Sequence, residues 1–228
     1  MTYLAAISLS GALFAGNVAA VPTINLDYQG PKHGFESGSM NDTATSESYS
    51  NFNAGLFDFD VTGTAGTASP ITWGSTVEAF CIDLDVFLDE GEATYALKTA
   101  DNYFNNTNLV SAVTKLYTGY EGSVNNTETS TAFQLALWEV IYENGAYGMT
   151  DGNFTATTDF NGSRDLADTW LAGLSGKSEG FNMYVLDAED SQDLLVFAPK
   201  PPVSVPEPGT LALLGLGLAG LAVRRKKA

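Results

Sequence analysis

The sequence predicts one α+β domain of short antiparallel strands, with about three helices in the middle of the chain. An N-terminal signal peptide and a C-terminal transmembrane-type helix flank this domain. Three observations predict this organisation: apolar and polar residues alternate in short runs on both sides of the centre, helical spacing occupies the centre, and apolar segments stand at both termini. Strands, then helices, then strands again is the element order of an α+β domain.

Composition places the chain among globular proteins and narrows its chemistry. With 44% hydrophobic and 16% charged residues, the 228-residue chain can bury one sizeable core. A formal net charge of −17 repels phosphate backbones, so we predict no nucleic-acid partner. One cysteine and one histidine cannot form an intramolecular disulfide or a Cys/His zinc cluster.

The sequence lacks the usual signatures of enzymes. It has no glycine-rich phosphate loop and no Gly-x-Ser-x-Gly elbow, so we predict no enzyme activity and no cofactor. The acidic residues crowded into 83–92 lack the spacing of a calcium loop and predict a solvated acidic face, so no metal site is predicted. A secreted acidic hydrolase stays open as a distant alternative, because 27 Asp and Glu residues offer many carboxylate pairs.

The predicted elements follow from periodicity. Strand-like alternation appears in five short runs, at residues 56–61, 77–87, 93–99, 181–186 and 194–197. The polar stretch 41–53 predicts a loop or a solvent-facing hairpin. Helical spacing marks three segments, at residues 109–117, 131–143 and 164–174. The last segment has Ser163 as its N-cap and Gly176 as its stop signal.

The helix predicted over 131–143 carries the widest apolar arc of the chain. Its apolar residues share one face at helical spacing, while Gln134 and Trp138 form an adjoining stripe. A helix with so wide an apolar arc lies between other elements. Gln134 is therefore expected to be buried, and a buried carboxamide without partners costs about 1 to 3 kcal/mol.

Both termini predict export. Residues 1–20 read as a signal peptide that is cleaved after Ala20, although no Lys or Arg precedes the apolar stretch. The mature domain over 21–198 is followed by a Pro-rich linker over 199–208, an apolar membrane segment over 209–223 and a basic cytoplasmic tail over 224–228. The alternative for the apolar segment is a terminal helix docked on the core.

The C-terminus resembles the PEP-CTERM sorting signal of exosortase substrates in Gram-negative bacteria. The resemblance rests on three ordered parts: the motif Pro206, Glu207 and Pro208, the apolar run, and the basic cluster Arg224, Arg225, Lys226 and Lys227. It implies recognition by an exosortase-type sorting machinery and an intermediate anchored in the inner membrane. It also implies later delivery to the cell surface or the extracellular matrix.

Cys81 lies in a strand-like segment on the polar face. Cys81 alternates with Phe80 and Ile82 and shares its face with Asp83 and Asp85. A purely structural cysteine would prefer the apolar face.

The segments 80–83 and 131–138 together resemble the paired motifs of thioester domains in bacterial surface adhesins. In that family, a strand cysteine and a glutamine at the head of a helix condense into an internal thioester. Carried over to this chain, the resemblance implies a bond from the Cys81 sulfur to the side-chain carbonyl of Gln134, with loss of ammonia. One departure is that the family usually has Thr directly before the Gln, where this chain has Phe133.

The implied function is covalent adhesion. Proximity on rigid elements can lower the barrier of such a condensation by about 7 to 11 kcal/mol in favourable intramolecular systems. Phe80, Phe133 and Trp138 are expected to shield the bond from water. An amine or hydroxyl on an extracellular polymer or surface ligand would then displace the thiol.

A second interpretation needs no covalent bond. Cys81 is then a buried free thiol, and Gln134 is the N3 residue of a capping box whose N-cap is Thr131. In that case the protein is a passive structural or carbohydrate-associated component of the exopolysaccharide matrix.

Overall fold

Two antiparallel sheets and a helical layer make up the part of the chain that the computed structural model describes, residues 20–66, 69–143 and 146–201. These residues contain nine strands and four α-helices. The strands are β1 Thr23–Pro31, β2 Glu36–Asp42, β3 Glu47–Ala54, β4 Phe57–Ala65, β5 Thr76–Cys81, β6 Glu92–Thr99, β7 Phe154–Ala156, β8 Phe181–Asp187 and β9 Leu194–Pro199. The helices are α1 Ala100–Phe104, α2 Thr107–Tyr120, α3 Thr127–Tyr142 and α4 Ser163–Ala172.

Six strands form a closed sheet in the order β1, β4, β5, β9, β8, β6, with β6 pairing back to β1. All six pairings are antiparallel. The interior is filled by side chains from alternate strand positions, among them Ile24, Phe59 and Tyr95, each at most 1% exposed. The pairing of β5 with β9 is short and ends at Cys81 opposite Leu194, so the chain after β5 and the loop before β9 lie side by side where this ladder stops.

A smaller sheet in the order β3, β2, β7 packs beside α3. Two hydroxyls of α3 attach the helix to it. Thr131 accepts the backbone N–H of Glu36 at 3.0 Å and donates to the carbonyl of Ala54 at 2.7 Å. Ser130 accepts the N–H of Leu56 at 2.7 Å. These bonds fix the position of α3 between the small sheet and the closed sheet.

Helix α3 is buried on almost every side, as its wide apolar arc predicts. It begins at a capping box in which Asn126 accepts the N–H of Thr129 and the Thr129 hydroxyl accepts the N–H of Asn126. The capping box with Thr131 as N-cap is therefore wrong, because Thr131 lies inside the helix. The N-cap predicted at Ser163 is also wrong: Gly162, whose φ of +92° favours glycine, precedes the helix, and Ser163 is the first residue of α4. The helix ends at Ala172, before the predicted stop at Gly176.

The predicted architecture is confirmed in part: in chain order, antiparallel strands precede and follow a helical segment, but strands predominate and six of them form a closed sheet that was not predicted. The solvent-facing hairpin expected over 41–53 is β2 and β3. The strand predicted over 77–87 ends at Cys81, because residues beyond it bond to side chains and to the backbone of the loop after β8. Strands β1 and β7 and helix α1 were not predicted.

The predicted signal peptide, most of the Pro-rich linker, the apolar segment and the basic cluster lie outside the described residues, apart from Ala20 and residues 199–201. Across the part of the chain that the structure describes, no helix has both the length and the apolar character to cross a membrane.

Candidate functional site

Cys81 is the last residue of β5 and is 2% exposed. The chain leaves the closed sheet directly after it, where the N–H of Ile82 donates to the carbonyl of Asp193 at 3.1 Å. The thiol is free, since this is the one cysteine of the chain. Its sulfur therefore lies at the end of a strand, beside the loop that enters β9.

Gln134 meets Cys81 through the backbone. Its side-chain oxygen accepts the N–H of Cys81 at 3.0 Å, and its side-chain nitrogen donates to the carbonyl of Cys81 at 2.9 Å. The structure thus brings together the two residues singled out from the sequence, and the buried carboxamide has its partners. The bond from Cys81 to Gln134 stays a prediction from the sequence, whereas the contact that the structure shows engages the backbone of Cys81.

The Cys81 sulfur contacts a different glutamine. The thiol donates to the side-chain oxygen of Gln192 at 2.7 Å, and both residues are at most 4% exposed. The side-chain nitrogen of Gln192 donates to the carbonyl of Asp83 at 3.0 Å, so the carboxamide is fixed at both ends. Because a C=O bond is about 1.23 Å long, the side-chain carbonyl carbon lies at most about 4 Å from the sulfur.

The loop that carries Gln192 is held on both sides. Asp193 donates its N–H to the carboxylate of Asp83 at 2.7 Å, and its own carboxylate accepts the Tyr103 hydroxyl at 2.5 Å and the N–H of Ala188 at 2.8 Å. Ser191 accepts the N–H of Asp89 at 3.0 Å. Gln192 is therefore placed against the sulfur by its neighbours in the chain rather than by its own side chain alone.

Burial sets the protonation of the site. It raises the pKa of the Cys81 thiol well above its usual value, and the charge of Asp83 raises it further. Burial also raises the pKa of Asp83 to about 6, although the N–H of Asp193 opposes this shift. Cys81 is therefore a neutral thiol at neutral pH and can donate its proton to Gln192.

A cavity of about 360 Å³ opens beside the sulfur, and both Cys81 and Gln192 line it. Half of the residues that line it are aromatic: Tyr28, Phe35, Phe52, Phe57, Phe87 and Trp138. Glu90 is the one charged residue among those that the structure shows lining it. Phe87 is 74% exposed at the surface, whereas Trp138 is 1% exposed. The buried sulfur thus borders a recess that is lined in large part by aromatic rings and reaches the surface at Phe87.

The three predicted shielding residues are divided between two places. Trp138 lines the cavity beside Cys81. Phe80 and Phe133 stack on each other with ring centroids 4.4 Å apart and belong to the core, on the face of β5 opposite Cys81.

In the described ranges, no group of three or more His, Cys, Asp or Glu side chains is arranged to hold a metal ion.

Gln192 is the residue that sequence reasoning missed. It lies in the short loop between β8 and β9, two positions before β9 begins and 111 positions from Cys81. The sequence gives little indication of its role. Gln192 is the middle one of three polar residues, with Ser191 and Asp193, that precede the apolar run of β9. Only the pairing of β9 with β5 brings this residue to the sulfur.

A comparison with family models agrees with the sequence analysis of the C-terminus. Residues 204–226 match the family model of the PEP-CTERM protein-sorting motif. The chain is therefore an exported protein with a C-terminal sorting signal, which implies processing by exosortase-type machinery. No curated protein matches the chain at significant similarity. Among solved structures, the chain resembles the thioester domain of the Staphylococcus aureus TIE protein at 13% identity and a TM-score of 0.42, over 77% of this chain and 78% of that chain.

Proposed function

We propose that this exported protein is a covalent adhesin of the cell surface or extracellular matrix, and that its reactive bond is an internal thioester between Cys81 and Gln192. The observation that carries the proposal is the 2.7 Å contact between the Cys81 sulfur and the side-chain oxygen of Gln192. Gln192 replaces Gln134 as the acyl donor, because both polar atoms of Gln134 are engaged by the backbone of Cys81.

The condensation needs no cofactor. The Cys81 sulfur attacks the side-chain carbonyl carbon of Gln192, the carbon–nitrogen bond of the carboxamide breaks, and the thiol proton leaves with the nitrogen as ammonia. A thiol attacks an amide poorly in water, so the reaction depends on the fixed placement of both groups. Gln134 holds the cysteine backbone, and the contacts of Asp193 hold the glutamine.

The second step is capture of a partner. A nucleophile enters the cavity and, in its neutral form, attacks the thioester carbonyl. The amide or ester bond to Gln192 forms, the carbon–sulfur bond breaks, and the proton of the nucleophile passes to the Cys81 sulfur to restore the thiol. Each molecule reacts once, so the protein is not an enzyme. Among the described lining residues, Glu90 carries the one charge, and a carboxylate beside aromatic rings favours a cationic amine over a neutral hydroxyl. The partner is therefore an extracellular polymer or surface ligand that carries an amine.

Intact-mass measurement of the exported protein tests this proposal. The native chain should be lighter than its sequence by one ammonia, and the difference should vanish in Cys81→Ala and in Gln192→Ala. Methylamine should add its own mass and expose one thiol. Gln29→Ala is a matched control, because Gln29 is bonded only locally to Asp27. A native chain of full mass would contradict the proposal and favour the alternative, a passive structural or carbohydrate-associated component of the matrix.

A further inference from the structure

The indole N–H of Trp138 has no acceptor among the described groups, although its nitrogen is buried. Trp138 is 1% exposed and lies in α3, between Gln134 one turn before it and Tyr142 one turn after it. Buried donors are nearly always paired in folded proteins, so an unpaired one calls for a physical explanation.

The face of α3 that carries Trp138 lies along the reactive segment. Gln134 bonds the backbone of Cys81, and the Tyr142 hydroxyl donates to the carbonyl of Ile82 at 2.9 Å. Residues four apart share a helix face, so Trp138 lies between these two contacts. Trp138 also lines the same cavity as Cys81 and Gln192. A donor without an acceptor therefore belongs to the residue that borders the reacting atoms.

The proposed chemistry creates an acceptor without a donor. The side-chain oxygen of Gln192 now accepts the Cys81 thiol proton, and condensation removes that proton. Negative charge develops on the same oxygen in both tetrahedral intermediates, the one that releases ammonia and the one that releases the thiol. A buried oxyanion is stabilised by a fixed N–H donor in a water-excluded site.

We propose that the indole N–H of Trp138 donates to the acyl oxygen of Gln192 during formation and opening of the thioester. The inference rests on the proposed function. It pairs the Trp138 N–H, which has no acceptor among the described groups, with the side-chain oxygen of Gln192, which loses its donor when the thioester forms. No proton is transferred by the indole, which remains neutral and only lowers the energy of the developing charge.

The test removes the N–H and keeps the ring shape. Replacing Trp138 by 3-benzothienylalanine in the full chain substitutes sulfur for the N–H group. We expect the rate of thioester opening by methylamine, followed by intact mass, to fall about 100-fold. The same replacement at Trp170 is the matched control, because Trp170 is also buried and stacks on Tyr120, with ring centroids 4.8 Å apart, away from this cavity. An unchanged rate at position 138 overturns the inference.

A second measurement does not depend on the replaced chain folding. In the unmodified protein, the indole N–H resonance of Trp138 should move when methylamine opens the thioester, and it should not respond to methylamine in Cys81→Ala. A resonance that is the same before and after opening overturns the inference while leaving the thioester intact. A native chain of full mass overturns the proposed function itself, so the two failures are distinguishable.

Discussion

One carboxamide, that of Gln134, bonds both the N–H and the C=O of Cys81, and so joins the end of β5 to the middle of α3. These two bonds take the place of backbone hydrogen bonds to β4, because the pairing of β5 with β4 ends at Ala79. It holds the cysteine backbone in one position while the sulfur is left for a different partner. Structural and reactive roles are thereby divided between two glutamines.

Gln134→Ala and Gln192→Ala should have different effects. Gln134→Ala leaves two buried backbone groups of Cys81 unpaired and should lower the free energy of unfolding by about 2 to 5 kcal/mol. Gln192→Ala should abolish the loss of ammonia with a smaller effect on stability. Urea unfolding and intact mass, measured on both variants, check this division. Gln192 is the acyl donor if the mass loss of one ammonia disappears in Gln192→Ala and is fully retained in a folded Gln134→Ala. The opposite result would assign the bond to Gln134.

Asp83→Ala should slow thioester formation, because the Asp83 carboxylate accepts the N–H of Asp193 and so places the loop that carries Gln192. Asp83→Asn keeps an acceptor of the same shape and should form the bond at nearly the native rate. The time course of ammonia loss after refolding measures this. Equal rates in both variants would show that the loop is placed without Asp83.

Glu90→Gln should change the choice of nucleophile. Loss of the carboxylate should lower the rate with a cationic diamine by about 3-fold to 10-fold at low salt and leave the rate with neutral hydroxylamine unchanged. Glu92→Gln is the matched control, because Glu92 is also exposed but lies outside this cavity. Equal losses in the two variants would indicate a general effect of net charge.

The sequence predicted those parts of the site that depend on local pattern. Cys81 on a strand and Gln134 on a buried helix follow from alternation and helical spacing, and each lies in a strong element. Gln192 lies in a short irregular loop, where no periodicity exists. Its role depends on the register of β9 against β5, which is a tertiary relationship between segments far apart in sequence. Strand β1 was missed although Ile24, Leu26 and Tyr28 alternate with polar residues along it.

Glu139 should make the protein less stable as the pH rises. Its side chain is fully buried in α3, and burial raises its pKa to about 8. One oxygen accepts the N–H of Gly148 at 2.8 Å, and the other has no partner among the described groups. The nearby charges are all acidic: Glu143 on the same helix, Asp151 in the loop and Asp168 on α4.

The sign follows from proton binding. Between about pH 4.5 and pH 8 the folded chain holds a proton on Glu139 that the unfolded chain has lost, so the free energy of unfolding falls as the pH rises through this window. The total loss should reach a few kcal/mol, at most about 5. Glu139→Gln keeps a neutral group of the same shape and should remove this part of the pH dependence, whereas the exposed Glu128→Gln should not. Urea unfolding at pH 6 and pH 9 measures the difference, and equal slopes in Glu139→Gln and the native chain would show that Glu139 is ionised in the fold.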